Sequence, residues 1–450
     1  MPTNLILVGK SGASAARSSL EMTAQNIANA DNQSYVRRTT ALAEVVSTGG
    51  INLNSSTALG GVRIDRIVRA DSHYLQAEVR RTAAALTRSD AEIGGLLAVQ
   101  DAIEQAGIYP AMARFEASLA QLASDPLSPS LRTAVVEQAR TLAQSFGPAV
   151  QSMDGTRQYL QTSASERVST FNNLAGEMAR TNLALSRTTT GTTMQAALFD
   201  QRDALLSQMS EIAGIVVAHD PLGRATVRIG DSAGPVIVTG RETEPLSMAI
   251  APDGTLSFLV AGGATSIQSG ALAGEERALA RMVDLRSKLD DAAASLVFVT
   301  NDAQANGLTP AGIPGPALFS GTGARDIALA LTDGAQLATA PAGSGSNSRS
   351  IVNLEALRSA LASTTPPGSG PASLMDGLLL DLSSNIAGRT ITREALRTLA
   401  DGAQSALTAQ TGVDLDTEAA NLVRFEQAFQ ASGRVIQVAV DIFDTLLEIR

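Results

Sequence analysis

"LDTEAANLVRFEQAFQASGRVIQVAVDIF", residues 415–443, decides the fold. Leu415, Leu422, Phe429, Ile436 and Phe443 recur every seven residues along it. A sustained apolar period of seven marks a helix packed along a narrow seam. The helix has a start signal: Asp414 or Asp416 is placed to cap it, and Glu418 falls in its first turn. A second row is mixed. Phe425, Val440 and Leu447 are apolar, but Glu426 and Gly433 are not. A self-sufficient two-stranded coiled coil has a cleaner second row, so this helix is expected to have several neighbours. An ordinary amphipathic helix of a bundle stays open as the plainer reading.

The other end of the chain repeats the pattern. Ile6, Ala13, Leu20 and Ile27 are also spaced by seven. Behind them comes "AQNIANADNQSYVRR", residues 24–38, with Asn26, Asn29 and Asn32 three apart. Asparagine is poor inside a helix, because its amide competes for backbone hydrogen bonds. It is tolerated at a helix end. The stretch reads as a polar ridge on a helix that frays out near Asn29 to Asn32.

Composition narrows the function classes. The chain has 450 residues, enough for about two to four domains. It has no cysteine and no tryptophan, and its histidines are His73 and His219. That rules out a disulfide framework and thiolate metal sites. Aromatics are 3%, so the cores must be built from Ala, Leu, Ile and Val, which suits close helix packing. A net charge of −10 argues against a nucleic-acid partner. The stretch "LILV" at 5–8 is too short for a secretory signal, and no run approaches the ~18 apolar residues of a membrane span. The expected location is the cytoplasm, or outside the cell by a route without an ordinary signal.

Between the ends the periodicity changes. Residues 72–210 read as mostly helical, with Leu75, Val79, Leu86, Ile93, Leu96 and Ile103 on one face and a break at "SDPLSPS", 124–130. Residues 214–268 switch to short β-branched runs, "GIVVAH", "ATVRI", "PVIVTG", "LSMAI" and "TLSFLV". Turns separate them, and Asp253-Gly254 is a strong hairpin signal. Residues 272–306 return to helix, while "PAGSGSNS" at 341–348 and "TTPPGSGP" at 364–371 are loops. The predicted fold is mainly α with a small β insertion. Its units are a terminal helical core of residues 1–30 plus 415–450, a mainly helical middle domain of 31–213 plus 270–414, and an outer β-rich domain of 214–269. The two termini should lie side by side. The β block, joined to the middle domain at both ends, should lie farthest from them.

Reactive chemistry is sparse. A nucleophilic triad would need His73 or His219, and neither accompanies a nucleophile elbow. Two histidines so placed cannot fill a histidine metal cluster. Asp220, Asp231, Glu242 and Asp253 could in principle pair as glycosidase carboxylates, but acids beside turns read as turn formers. "SGTGARD" at 320–326 lacks the Lys-Ser/Thr of a phosphate loop. The Arg-Arg pairs at 37–38 and 80–81 read as solvated charges. No catalytic, cofactor-binding or metal residue is assigned. Two classes remain: a structural assembly protein whose terminal helices pack against copies or relatives, and an enzyme, such as a secreted hydrolase, with an unrecognised site. The first explains the terminal seams, and the second does not.

The segment "SGASAARSSLEMTAQNIANADNQSYVRR", 11–38, resembles the N-terminus of the flagellar axial proteins of rod, hook and hook-associated junction. Their helix ends in an N-x-x-N-x-x-T-x-G-Y-x-R pattern. Asn26, Asn29, Tyr35 and Arg37 match it, while Asn32 replaces the usual Thr and Ser34 the usual Gly. "GGVRIDRIVR" at 60–69, the segment from Leu119 to Phe146, "LFDQRDALLSQMSEIAGIVV" at 198–217 and the C-terminal helix are similar to the hook-associated branch. Hook and rod proteins share the two ends but not the 198–217 segment. The resemblance implies a structural protein of the hook–filament junction, with a hook or rod protein as the alternative. It implies export by the flagellar type III pathway through an uncleaved N-terminus, a place outside the cell, and no cofactor. The implied partners are copies of itself, hook protein, hook-associated protein 3 and an export chaperone. It also implies that the asparagine ridge closes a terminal helix in the inner core of a hollow tube, with Ile6, Ala13, Leu20, Ile27 and the five C-terminal positions as the assembly seam.

Overall fold

The computed structural model describes residues 2–32, 34–45, 60–364 and 370–448. Helix α1, Pro2–Ala28, leads through the asparagine-rich turn into the antiparallel hairpin β1, Arg38–Glu44, and β2, Val62–Arg69, whose register pairs Arg38 with Arg69. Helix α2, His73–Ala106, starts under the Ser72 hydroxyl, which accepts from the Leu75 amide. It stops at Gly107, where φ of +67° gives the left-handed stop that glycine adopts without a Cβ clash. Helix α3, Ile108–Leu122, and the "SDPLSPS" break follow.

Helix α4, Pro129–Arg187, is the spine. Its 59 residues span about 88 Å at 1.5 Å per residue. Helix α5, Thr193–Ile212, runs back along it. Helices α6, Ala271–Asn306, α7, Val352–Leu361, and α8, Pro371–Thr411, complete the body, and α9, Leu415–Glu448, leaves it. Phe115, Phe146, Phe171, Leu119 and Leu142 are fully buried. Alanines at 139, 149, 164, 175, 292 and 293 let the long helices close on one another, as the low aromatic content requires. The "PAGSGSNS" segment lies in an irregular stretch between α6 and α7. Most of "TTPPGSGP" falls outside the described residues.

Seven strands lie between residues 215 and 265. Strands β3, Ile215–His219, β4, Ala225–Ile229, β5, Val236–Thr239, and β6, Glu242–Thr243, form one meander. Strands β7, Leu246–Ile250, β8, Leu256–Val260, and β9, Gly263–Thr265, form a second. The Asp253-Gly254 signal is the β7–β8 hairpin: Gly254 has φ of +90° and Asp253 Oδ1 accepts from the Thr255 amide.

The β block does not lie farthest from the termini. Both sheets run along the flank of α4, held by three amides spaced down its second half. The Asn182 amide group bonds both backbone atoms of Ala225 and the carbonyl of Gly240. Asn172 does the same for Leu246, and Gln161 donates to the Gly254 carbonyl. The far end of the body is instead the start of α4, where the buried Arg132 donates to the carbonyls of Pro126, Gly334 and Leu337. The reason lies in the joins. Gly214 and Ser269 are hydrogen-bonded to each other, and the Gly270 amide donates to Ala84 early in α2, so the insertion leaves and rejoins the body at its side. Val227, Ile229, Ile237 and Phe258 share the core of the helices.

Candidate assembly site

Helices α1 and α9 lie side by side and antiparallel. The Asp414 carboxylate accepts from the Thr417 amide and starts α9, with Asp416 and Glu418 in the first turn facing the positive end of its dipole. Glycine sets the approach of the pair. A Cβ added at Gly9 would stand 2.7 Å from Ile436 Cγ1 and 3.2 Å from the Ser432 carbonyl oxygen. One added at Gly12 would stand 2.8 Å from Ser432 Oγ. Gly9→Val should therefore force the helices apart at a cost of about 1–3 kcal/mol. The expected result is a rise of about tenfold in amide exchange over residues 5–28 and 415–440, with α4 unchanged. Equal protection in the variant would show that the contact is not tight.

The predicted seam is divided by this pairing. Ile6, Ala13, Leu20, Ile27, Leu422 and Ile436 are half-buried. Leu415, Phe429 and Phe443 are exposed, Phe429 to 44%. The positions of α9 most covered within the chain are Glu418 and Ala439, with Phe425 and Ser432 half-covered between them. These four are also spaced by seven, but only Phe425 is a large apolar residue, so the row was invisible to an apolar-period search. Val423, Val435, Val438, Val440 and Ile442 are exposed as well. A helix this apolar on its uncovered sides leaves an area exposed to water that is unfavourable there.

The asparagine motif resolves into separate jobs. Asn26 is only 1% exposed. Its Nδ2 donates to the Arg38 carbonyl at 2.8 Å, and its Oδ1 accepts from the Arg38 amide at 3.1 Å and from the Tyr35 hydroxyl at 2.8 Å. The side chain thus serves as the backbone partner for the first residue of β1, within the chain itself. Asn29 bonds the Gln25 carbonyl of its own helix, and Asn32 Oδ1 accepts from the Ser34 amide in a local turn. The Arg37 amide donates to Thr411 at the end of α8. The fold brings Asn26 and Tyr35 together and leaves Asn29 apart from them.

Behind this turn lies a joint of buried charges. Arg38 pairs with Asp200 of α5. Arg69 of β2 reaches Asp200 at 2.7 Å and Asp203 at 2.6 Å. Asp203 also accepts two bonds from Arg202 and one from Gln76. Arg202 extends onward to the Gly223 carbonyl in the β3–β4 turn at 2.6 Å. Burial alone would raise the Asp203 carboxyl, but Arg202 and Arg69 outweigh it and hold it below the usual range. At Asp200 burial prevails over Arg69 and Arg38, and its carboxyl lies above the usual range. The joint ties the root of the terminal pair to the helical body and to the β block.

One sequence expectation changes here. Arg38 and Arg80 are not solvated: both are more than nine-tenths buried. Their environment comes from residues over a hundred positions away, which no local pattern reveals. His73 and His219, 146 positions apart, meet edge to face with ring centroids 4.5 Å apart. The turn acids behave as read. Asp220 accepts from the Leu222 and Arg224 amides, Asp231 from Ala233 and Asp253 from Thr255. Glu242 is exposed on β6. In the Gly-containing 320–326 stretch, Asp326 caps the amides of Thr322 and Gly323.

The family model described as the flagellar hook-associated protein FlgK helical domain matches residues 96–319, the stretch from α2 to the segment after α6. The flagellar hook-associated protein 1 of Bacillus subtilis is 21% identical over 490 aligned positions, covering 96% of each chain. The chain belongs to the flagellar hook-associated protein FlgK family. The hook-associated protein 1 of Escherichia coli is 24% identical across 100% of both chains, and that of Salmonella typhimurium is 28% identical over 48% of this chain and 39% of its own. Among solved structures, the flagellar hook junction protein FlgK of Burkholderia pseudomallei is similar over 54% of this chain and 46% of its own, with 23% identity and a TM-score of 0.46. Members of this family are structural flagellar proteins, and among the described residues no helix is long and apolar enough to cross a membrane.

Proposed function

We propose that the protein is a structural subunit of the bacterial flagellum at the hook–filament junction, built in by its paired terminal helices. The observation that carries this reading is the apolar belt left open on α9 while α1 covers one side of it. An enzyme has no use for a mostly uncovered helix of 34 residues at its edge, whereas an assembling subunit needs one. The half-buried Ile6, Ala13, Leu20, Ile27, Leu422 and Ile436 would line the seam, with Leu415, Phe429 and Phe443 meeting neighbouring subunits. Residues 1–30 with 415–450 then act as the core unit, 31–213 with 270–414 as the body, and 214–269 as its flanking β unit. The neighbours in this reading are other copies, hook protein and hook-associated protein 3, after export by the flagellar type III pathway with a chaperone. No catalytic step enters this role.

Complementation tests it. A cell lacking its own copy of the gene, supplied with this chain carrying an epitope tag in the β7–β8 turn, should swim. Immunogold should mark one narrow band where hook meets filament. Label along the whole hook, or in the basal rod, would replace the junction reading with another axial role. Motility without any label on the flagellum would overturn the structural reading.

A further inference from the structure

The chain has two histidines, and the fold puts them in contact. His73 opens α2 and His219 closes β3. The β3–β4 turn that follows His219 is pressed on α5: a Cβ at Gly223 would overlap the Phe199 ring at 2.4 Å, and its carbonyl holds Arg202. The contact therefore sits where the β block leans on the joint. Its surroundings are cationic. Arg202 and Arg80 act on His219 from α5 and α2, His73 from the start of α2, and Asp203 alone opposes them among the nearest charges. Arg80 is more than nine-tenths buried. Arg69 of β2 is taken up by Asp71, Asp200 and Asp203. Within the hairpin, Asp220 is taken up by Arg224. His219 Nδ1 is buried and has no hydrogen-bond partner. A proton placed there would find no acceptor and would add a cation beside two arginines.

We propose that the His73–His219 contact is an acid-sensitive latch, which holds β3 and the β3–β4 turn on the joint while His219 is neutral and releases them when it is protonated. The part free to move is β3 with the turn after it, since β3 is an edge strand whose sheet neighbour among the described residues is β4, while β4 is also paired to β5. Burial, Arg202 and His73 keep His219 neutral down to about 4, against an ordinary 6.5. A folded-state value below the unfolded one means that stability is complete above pH 6.5 and is lost as pH falls from there toward 4. Of the joint carboxylates, Asp203 lies below the usual range and Asp200 above it, so the response that belongs to the histidine is the part that His219→Gln removes.

With two histidines the test is direct. Ring proton resonances of the full chain, assigned with His73→Gln and His219→Gln, should show His219 titrating well below 6. Amide exchange over residues 215–224, corrected for its intrinsic pH dependence, should rise about tenfold between pH 6.5 and 4.5. In His219→Gln that rise should vanish. In His73→Gln it should shift to higher pH, because one opposing charge is gone. An ordinary titration of His219 near 6.5, or an unchanged acid response in His219→Gln, would overturn the latch.

Discussion

Asp203→Ala should destabilise the protein by about 3–5 kcal/mol, read as a lowered urea midpoint with an unchanged slope. Asp203 takes four hydrogen bonds, two from Arg202 and one each from Arg69 and Gln76. Arg202 is the largest fully buried side chain among the described residues. Removing the carboxylate leaves Arg202 with one carbonyl and Arg69 with Asp200 and Asp71, so cationic charge stays buried without full compensation. The cost comes from that orphaned charge and not from the pair as such. Replacing Arg202 and Asp203 together by leucine and alanine should therefore cost less than Asp203→Ala alone. The same carboxyl lies below its usual range, so its contribution is present above about pH 4 and fades as pH falls through its folded value. A single-mutant loss under 1 kcal/mol, or a double mutant worse than the single, would remove the joint from the account of stability.

That joint also marks how far the sequence could be read. The terminal helices were legible because a period of seven survives any neighbour, and the strands because β-branched runs sit between the turns "DPLG", "GDSAG" and "PDG". Both are local signals. Arg38 and Asp200 are 162 positions apart, and nothing near either residue indicates the other. The segment "DQRDALLSQ" stood out only through its resemblance to relatives, with no physical reason attached. The structure supplies one: Asp200, Arg202 and Asp203 fall at the middle of α5, facing β1, β2 and the β3–β4 turn at once. Asn26 is one of three evenly spaced asparagines in the sequence, but its partner is the backbone of residue 38, set by a chain reversal rather than by helix spacing. The placement of the β block failed for a related reason. The positions of Gly214 and Gly270 in sequence say that the block is an insertion, and only the bond of Gly270 to Ala84 of α2 says that it hangs from the side.

Phe429→Asp should abolish incorporation at the junction and leave the free protein unchanged. Within the single chain Phe429 is 44% exposed, on a side of α9 that α1 does not cover. A carboxylate there is solvated in the monomer, so the melting temperature should move little. In the proposed assembly the same position would meet a neighbour. The substitution then loses about 2 kcal/mol of apolar burial and places an unpaired charge in a dry contact at several kcal/mol more. In a closed layer each copy carries the defect, so the losses multiply around it. Phe429→Leu keeps the apolar contact and should assemble with a modest deficit, which separates the chemistry of the seam from the mere presence of a mutation. Ala439 gives the contrast within the same helix. It is covered inside the chain, so Ala439→Asp should loosen the α1–α9 pair already in the monomer. If Phe429→Asp enters the junction as wild type does, the open side of α9 is not where subunits meet, and the apolar belt must serve something other than assembly.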